Sequence, residues 1–208
     1  MAGFYIHAFS FHGILKRTGG QNMADFTKRA IKASFVKLLD ERPMSRITVK
    51  DIARDCGINR NTFYYHYQDI PTLLMEIIKD DMDRMLQKYP SFDSFENCVE
   101  AAIQMAIENR RIVMHIYNSI NRNLYEQFIW ELSEYAVKQY IASVFPDRKL
   151  NPEDREMIIR YYKCECFGIV TDWLENGMNE DAIRYFRRIF ELKKDQAKEL
   201  IRRCEESG

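Results

Sequence analysis

A chain of 208 residues with 46% hydrophobic and 30% charged side chains carries enough apolar material for a packed core, which excludes a disordered protein. Its 31 basic and 31 acidic residues cancel, yet residues 1–70 hold 11 Lys/Arg against 6 Asp/Glu (+5), and the remainder 20 against 25 (−5). A basic front on an acidic body suits a chain that meets a polyanion at one end only. No apolar run reaches the roughly 20 residues that a membrane-crossing helix needs, so no membrane partner is expected.

In chain order, MAGFYIHAFSFHGILKRTGG comes first. It lacks a basic start and a cleavage site, so it is not read as a secretory signal. Residues 1–22 are expected to be a disordered extension, with an arm laying Lys16 and Arg17 on nucleic acid as the functional alternative. From Asp25, Ile31, Phe35, Leu38 and Leu39 line a first helix that closes near Glu41, ahead of Pro43.

The stretch TVKDIARDCGINRNTFYYHY, residues 48–67, is the most informative in the chain. Val49, Ile52, Ala53 and Cys56 form one apolar helical stripe, and Gly57 stops it at a left-handed position. Asn59 can accept from the free amides that open the next helix. That helix turns Phe63 and Tyr67 inward and leaves Arg60, Asn61, Thr62, Tyr64, Tyr65 and His66 as its polar set. Two short helices across a glycine corner, the second with long polar groups outward, predict a helix-turn-helix for the DNA major groove.

Asp69, Ile70 and Pro71 then start a fourth helix with the stripe Leu74, Ile78, Met82, Met85 and Leu86, ending near Tyr89-Pro90. Further helices are predicted at 92–109, 110–118, 121–144, 152–176 and 179–205. No stretch alternates with period two, so the chain is expected to be all-α. The helix at 152–176 is apolar nearly all round, from Met157 to Leu174, and must be covered on two sides. A second subunit is the expected cover, and the last helix supplies a second wall. The candidate dimer-interface residues are Phe167, Val170, Leu174, Phe186, Ile189 and Phe190.

Five cysteines, at 56, 98, 164, 166 and 204, form no C-x-x-C pair and have no histidine at ligand spacing. They read as reduced structural thiols of a cytoplasmic protein, with no metal and no cofactor. No G-x-S-x-G, phosphate loop or H-E-x-x-H occurs, and Glu153-Asp154 sits where helix capping explains it, so an enzyme is only a remote alternative.

The run T-V-x-x-I-A-x-x-x-G-I-x-x-x-T-F-Y-Y-H-Y resembles the N-terminal signature of TetR-type transcriptional regulators, over residues 25–75. The resemblance implies a three-helix DNA-binding domain at 23–70, joined by a linking helix to a helical effector-binding and dimerisation bundle at 71–208. It implies that Thr48 caps the first motif helix beside a phosphate and that Lys50 reaches a base or backbone oxygen. Arg60, Asn61, Thr62 and Tyr64 would face the major groove, while Tyr65 and His66 grip phosphates. Their chemistry agrees: Arg pairs with guanine, Asn with adenine and a threonine methyl with thymine, while phenol and imidazole suit phosphate. One departure is Ile70, where the family often has lysine.

The resemblance further implies a small-molecule effector inside the body. Met105, Met114, His115, Tyr117, Tyr125, Phe128, Tyr161, Tyr162 and Trp173 are candidate pocket residues, and each is also compatible with plain core. The function expected is that of a dimeric repressor released from a palindromic operator by that effector. The alternative is an activator or co-regulator of the dihydroxyacetone-kinase-operon type, whose body docks a partner protein.

Overall fold

Ten α-helices and no strand occur among the residues described by the computed structural model, which are 23–88, 95–120, 122–144, 150–193 and 196–207. They are α1 (Met23–Glu41), α2 (Val49–Asp55), α3 (Arg60–His66), α4 (Ile70–Lys88), α5 (Phe95–Glu108), α6 (Arg110–Tyr117), α7 (Arg122–Val144), α8 (Pro152–Glu175), α9 (Glu180–Leu192) and α10 (Gln196–Ser207). The expected extension over 1–22 lies outside the described residues, as do the side chains of Leu86 and Cys98. No helix among those described is long and apolar enough to cross a membrane.

The chain divides into two compact units. One runs to Ile78 and takes in Glu108–Asn121; the other comprises Lys79–Ile107 and Arg122–Gly208. In the first, Ile31, Phe35, Leu39, Ile52, Phe63 and Leu73 are fully buried, so α1 to α4 share one core. α6 packs on α1 in the same unit. Arg111 grips the Asp40 carboxylate at 2.5 and 3.1 Å, and His115 Nδ1 lies 2.8 Å from the Leu39 carbonyl, in the last turn of α1. A helix C-terminus exposes carbonyls that suit such donors.

In the second unit α7 and α8 pack most intimately. Lys163, 8% exposed, bonds Glu134 on α7 and holds its ammonium 4.1 Å from the Trp130 ring centroid. Lys138 shares the carboxylate, and the hydrogen bonds from Lys138 and Lys163 hold Glu134 down to about 2. A core cluster of Val137, Ile141, Ile158 and Ile201 joins α7, α8 and α10, with Leu200 and Cys204 against it.

Two predicted elements need correction. The segment 179–205 is not one helix: α9 stops at Leu192 and α10 starts at Gln196. Lys193 leaves the helix with its Nζ 2.5 Å from Glu165 Oε1. Phe190 and Ile201 are eleven residues apart, close to three turns, so the apolar period runs through the break without a sign. The inward row of α4 also differs from the expected one. Leu73, Leu74 and Ile77 are at most 1% exposed, while Ile78 and Met82 are only partly buried. Asp81, buried with its carboxylate on Arg84, sits in that row and hides its phase from a hydrophobicity pattern.

Candidate nucleic-acid interface

The helix-turn-helix is built from three local devices. At the start of α2, the Thr48 hydroxyl accepts the Asp51 amide at 3.2 Å, and the Asp51 carboxylate accepts the Thr48 amide at 3.1 Å and its hydroxyl at 2.7 Å. This reciprocal capping box satisfies two amides that a helix start leaves free. The hydrogen bonds from Thr48, with Arg42 and Arg54 at 3.3 Å, keep the Asp51 carboxyl below its ordinary range.

The turn is the second device. Gly57 has φ +72°, the Ile58 amide donates to Ala53 O at 2.9 Å, and the Gly57 amide donates to Arg54 O at 3.4 Å. That pair of bonds is a Schellman closure, which requires a left-handed residue at its corner. A Cβ at position 57 would meet nothing within 4 Å, so glycine serves the backbone angle and not a tight fit. Third, the Asn59 side-chain oxygen accepts the Thr62 amide at 2.8 Å and its hydroxyl at 3.0 Å, capping α3.

α3 is fixed from beneath by Phe63 (0% exposed) and Tyr67 (2%). The Tyr67 hydroxyl donates to Glu76, which also takes Lys28 and Lys32. On the outer side Tyr64 is 56% and Tyr65 83% exposed, and Arg60 and Asn61 are exposed as well. Tyr64 rests edge-on against Phe63 with centroids 5.6 Å apart. His66 is partly buried with Tyr65 at 5.0 Å. Lys50 stands exposed in the first turn of α2.

Among the described residues Lys50, Arg60 and Asn61 make no side-chain hydrogen bond or ion pair. A guanidinium, an amide and a phenol projecting from one two-turn helix make a donor and acceptor set chemically able to read base edges. The hydroxyls of Thr48 and Thr62 are instead engaged in caps.

Residues 33–77 match the sequence profile of bacterial regulatory proteins of the tetR family, and residues 93–195 match that of a transcriptional regulator C-terminal region. The chain belongs to the TetR family of transcriptional regulators. Similar curated proteins include the HTH-type transcriptional regulator YxbF of Bacillus subtilis (strain 168), 24% identical over 77% of this chain and 42% of that protein. EthR of Mycolicibacterium smegmatis is 29% identical over 41% of this chain and 36% of its own length, and EthR of Mycobacterium tuberculosis (H37Rv) 35% identical over 26% and 25%. The chain thus spans about two fifths, or less, of the curated relatives it matches.

Solved structures extend the likeness of fold. A TetR transcriptional regulator from Rhodococcus sp. RHA1 aligns over 80% of this chain and 95% of its own with a TM-score of 0.59 at 17% identity. The dihydroxyacetone kinase operon activator DhaS aligns over 83% and 96% with a TM-score of 0.56 at 21% identity. This TetR-family chain therefore has an N-terminal helix-turn-helix followed by a C-terminal helical bundle.

The remaining sequence candidates of this regulator are spread out. Met114, His115 and Tyr117 lie on α6, in the first unit with the helix-turn-helix. Met105, Tyr125, Phe128, Tyr161, Tyr162 and Trp173 lie in the second unit. There Tyr125, Phe128 and Trp173 are buried, Tyr161 is 57% exposed, and burial pushes the Tyr162 phenol up to about 12. The Trp173 indole donates to Asn179 O at 3.3 Å, across the turn that joins α8 to α9. Of the interface candidates, Leu174 is 7% exposed within its own chain, Phe167 sits edge-on to Trp130 at 5.3 Å, and Ile189 is 43% exposed. Phe186, Val170 and Phe190 are partly buried. Burial raises the Cys56 and Cys166 thiols, the latter to about 11, which disfavours the reactive thiolate.

Sequence reasoning missed Asp51 and Glu76. T-x-x-D at 48–51 is the capping-box spacing with a shortened acid, so Asp51 was open to detection. Glu76 carried no local signal, because its three partners come from α1 and from the residue that ends α3.

Proposed function

We propose that this regulator is a dimeric, sequence-specific DNA-binding repressor, released from a palindromic operator by a small-molecule effector. The observation that carries the reading is the outward set of Arg60, Asn61, Tyr64 and Tyr65 on a helix anchored from below by Phe63 and Tyr67. Two such helices in a dimer would enter successive major grooves, one helical turn apart. The exposed stripe of Tyr185, Ile189 and Leu192 on α9, at i, i+4 and i+7, supports self-association through the second unit. An effector needs only a different affinity for two spacings of the paired heads to shift the population between them.

Selection of DNA from a random pool tests the first half: enrichment of a two-fold symmetric site supports it, and recovery of unrelated sequences overturns it. Screening small molecules for release of the enriched site tests the second. The likeness to DhaS is one of fold, and a site that responds to no small molecule but to an added partner protein would replace repression by ligand with the activator reading.

A further inference from the structure

The turn that leads into α2 presents a cation that its own chain does not use. Met44, Ser45 and Arg46 make one tight 3-10 turn, in which the Arg46 amide donates to Pro43 O at 2.9 Å and the Ile47 amide to Met44 O at 3.0 Å. Met44 and Ile47 are buried, so the backbone on both sides of Arg46 is pinned. Ile47 and Thr48 are extended, with φ −101° and −114°. Side chains alternate along extended chain, so Arg46 and Thr48 stand together on the side opposite buried Ile47. Both are exposed.

The acids of α2 are already engaged. Asp51 serves the Thr48 cap and lies 3.3 Å from both Arg42 and Arg54, and Asp55 lies 2.6 Å from Lys37 on α1. Arg46 and Lys50, two residues to either side of Thr48, make no side-chain hydrogen bond or ion pair among the described residues. An exposed guanidinium on a pinned backbone, next to a carboxylate that two other guanidiniums cover, suits an anion from outside the chain.

We propose that Arg46 grips a phosphate of the operator backbone, acting with Lys50 from the two sides of Thr48. The assignment rests on the DNA-binding reading of α3 above and adds a contact outside that helix. A guanidinium meets a phosphate through parallel N–H donors, which fixes the protein on the strand and carries no sequence information. The cover that Arg42 and Arg54 give Asp51 reduces the repulsion between that carboxylate and the approaching backbone.

Binding titrations across salt concentrations test the contact, with the full chain, the duplex it enriches and an unrelated duplex of equal length. Arg46→Gln lowers the slope of log affinity against log salt by about one, and weakens both duplexes about tenfold at about 0.1 M salt. Arg46→Lys retains the charge and keeps the slope. Arg46→Gln joined to Lys50→Ala lowers the slope by about two, because the two cations meet separate phosphates. Arg160→Gln removes an exposed cation of the second unit that has no hydrogen bond or ion pair among the described residues, and it leaves the slope native. That comparison separates a contact from a change in net charge. Arg46 is exposed, so circular dichroism stays native in its variants. A native slope in Arg46→Gln, or a loss confined to the enriched duplex, overturns the phosphate contact and leaves the reading of α3 standing. A native chain that binds neither duplex overturns both.

Discussion

The hydroxyl of Tyr67, the residue that ends α3, donates to Glu76 Oε1 at 3.2 Å, six residues into the helix that follows. The same carboxylate takes Lys32 at 2.7 Å and Lys28 at 3.2 Å, both from α1, and Lys28 lies 5.4 Å over the Tyr67 ring. One acidic group therefore ties α3, α4 and α1 together on the inner side of α3.

Glu76→Gln takes that charge from Lys32, an ammonium only 8% exposed, and should destabilise the protein by about 1–3 kcal/mol in chemical denaturation. Tyr67→Phe removes one hydrogen bond and should cost about 1 kcal/mol. The pH dependence has a definite sign. Burial pushes the Glu76 carboxyl up, but Lys32 and Lys28 outweigh it and bring it below its ordinary 4.5. Its contribution is thus complete above that value and is lost as the pH falls through the lower folded one. Glu76→Gln should therefore flatten the acid limb of the stability curve, and a limb of unchanged steepness would contradict the hub.

Gly57→Ala should destabilise by about 1–2 kcal/mol, because an L side chain at φ +72° is strained. The space around position 57 is open, so the cost is conformational and Gly57→Asn should recover much of it. Equal losses for alanine and asparagine in thermal melts would point to a steric cause instead.

Arg60→Ala and Tyr64→Ala, both at exposed positions, should leave the fold intact and relax the operator. Each should lose about 1–3 kcal/mol of discrimination at a single base pair. The check is a binding selection on each variant, in which an unchanged consensus would remove both residues from base reading.

Lys50→Ala should weaken binding to all sequences alike and reduce the slope of log affinity against log salt by about one. His66→Ala should also act uniformly, by loss of a phosphate contact that carries no sequence information. Binding titrations across salt concentrations read both, and a sequence-dependent loss would reassign either residue to the bases.

Ile189→Glu places a charge in the exposed stripe of α9 and should dissociate the proposed dimer at micromolar concentration with the helix content kept. Sedimentation reads the outcome, and a dimer of undiminished strength would take α9 out of the interface.

The helix-turn-helix was legible because its devices are local. A cap acts over three residues, a Schellman corner needs one glycine, and an amphipathic stripe repeats within two turns, so Thr48, Gly57, Asn59, Phe63 and Tyr67 declare themselves in sequence. The bundle was less legible. The break at Lys193 falls in phase with the stripes on either side, and buried Asp81 masks the inward row of α4.

By itself the order of residues determined that the described residues are helical and that the basic end carries a helix-turn-helix, since both follow from contacts between residues less than a turn or two apart. Tertiary structure alone decided that α6 packs with α1, and that Glu76 gathers Tyr67, Lys28 and Lys32. It also left Met157, Tyr161, Cys164 and Gly168 on the bare side of α8. A helix with apolar residues on most of its sides does not state which side its own chain will cover. That choice is made only when the other helices pack against it.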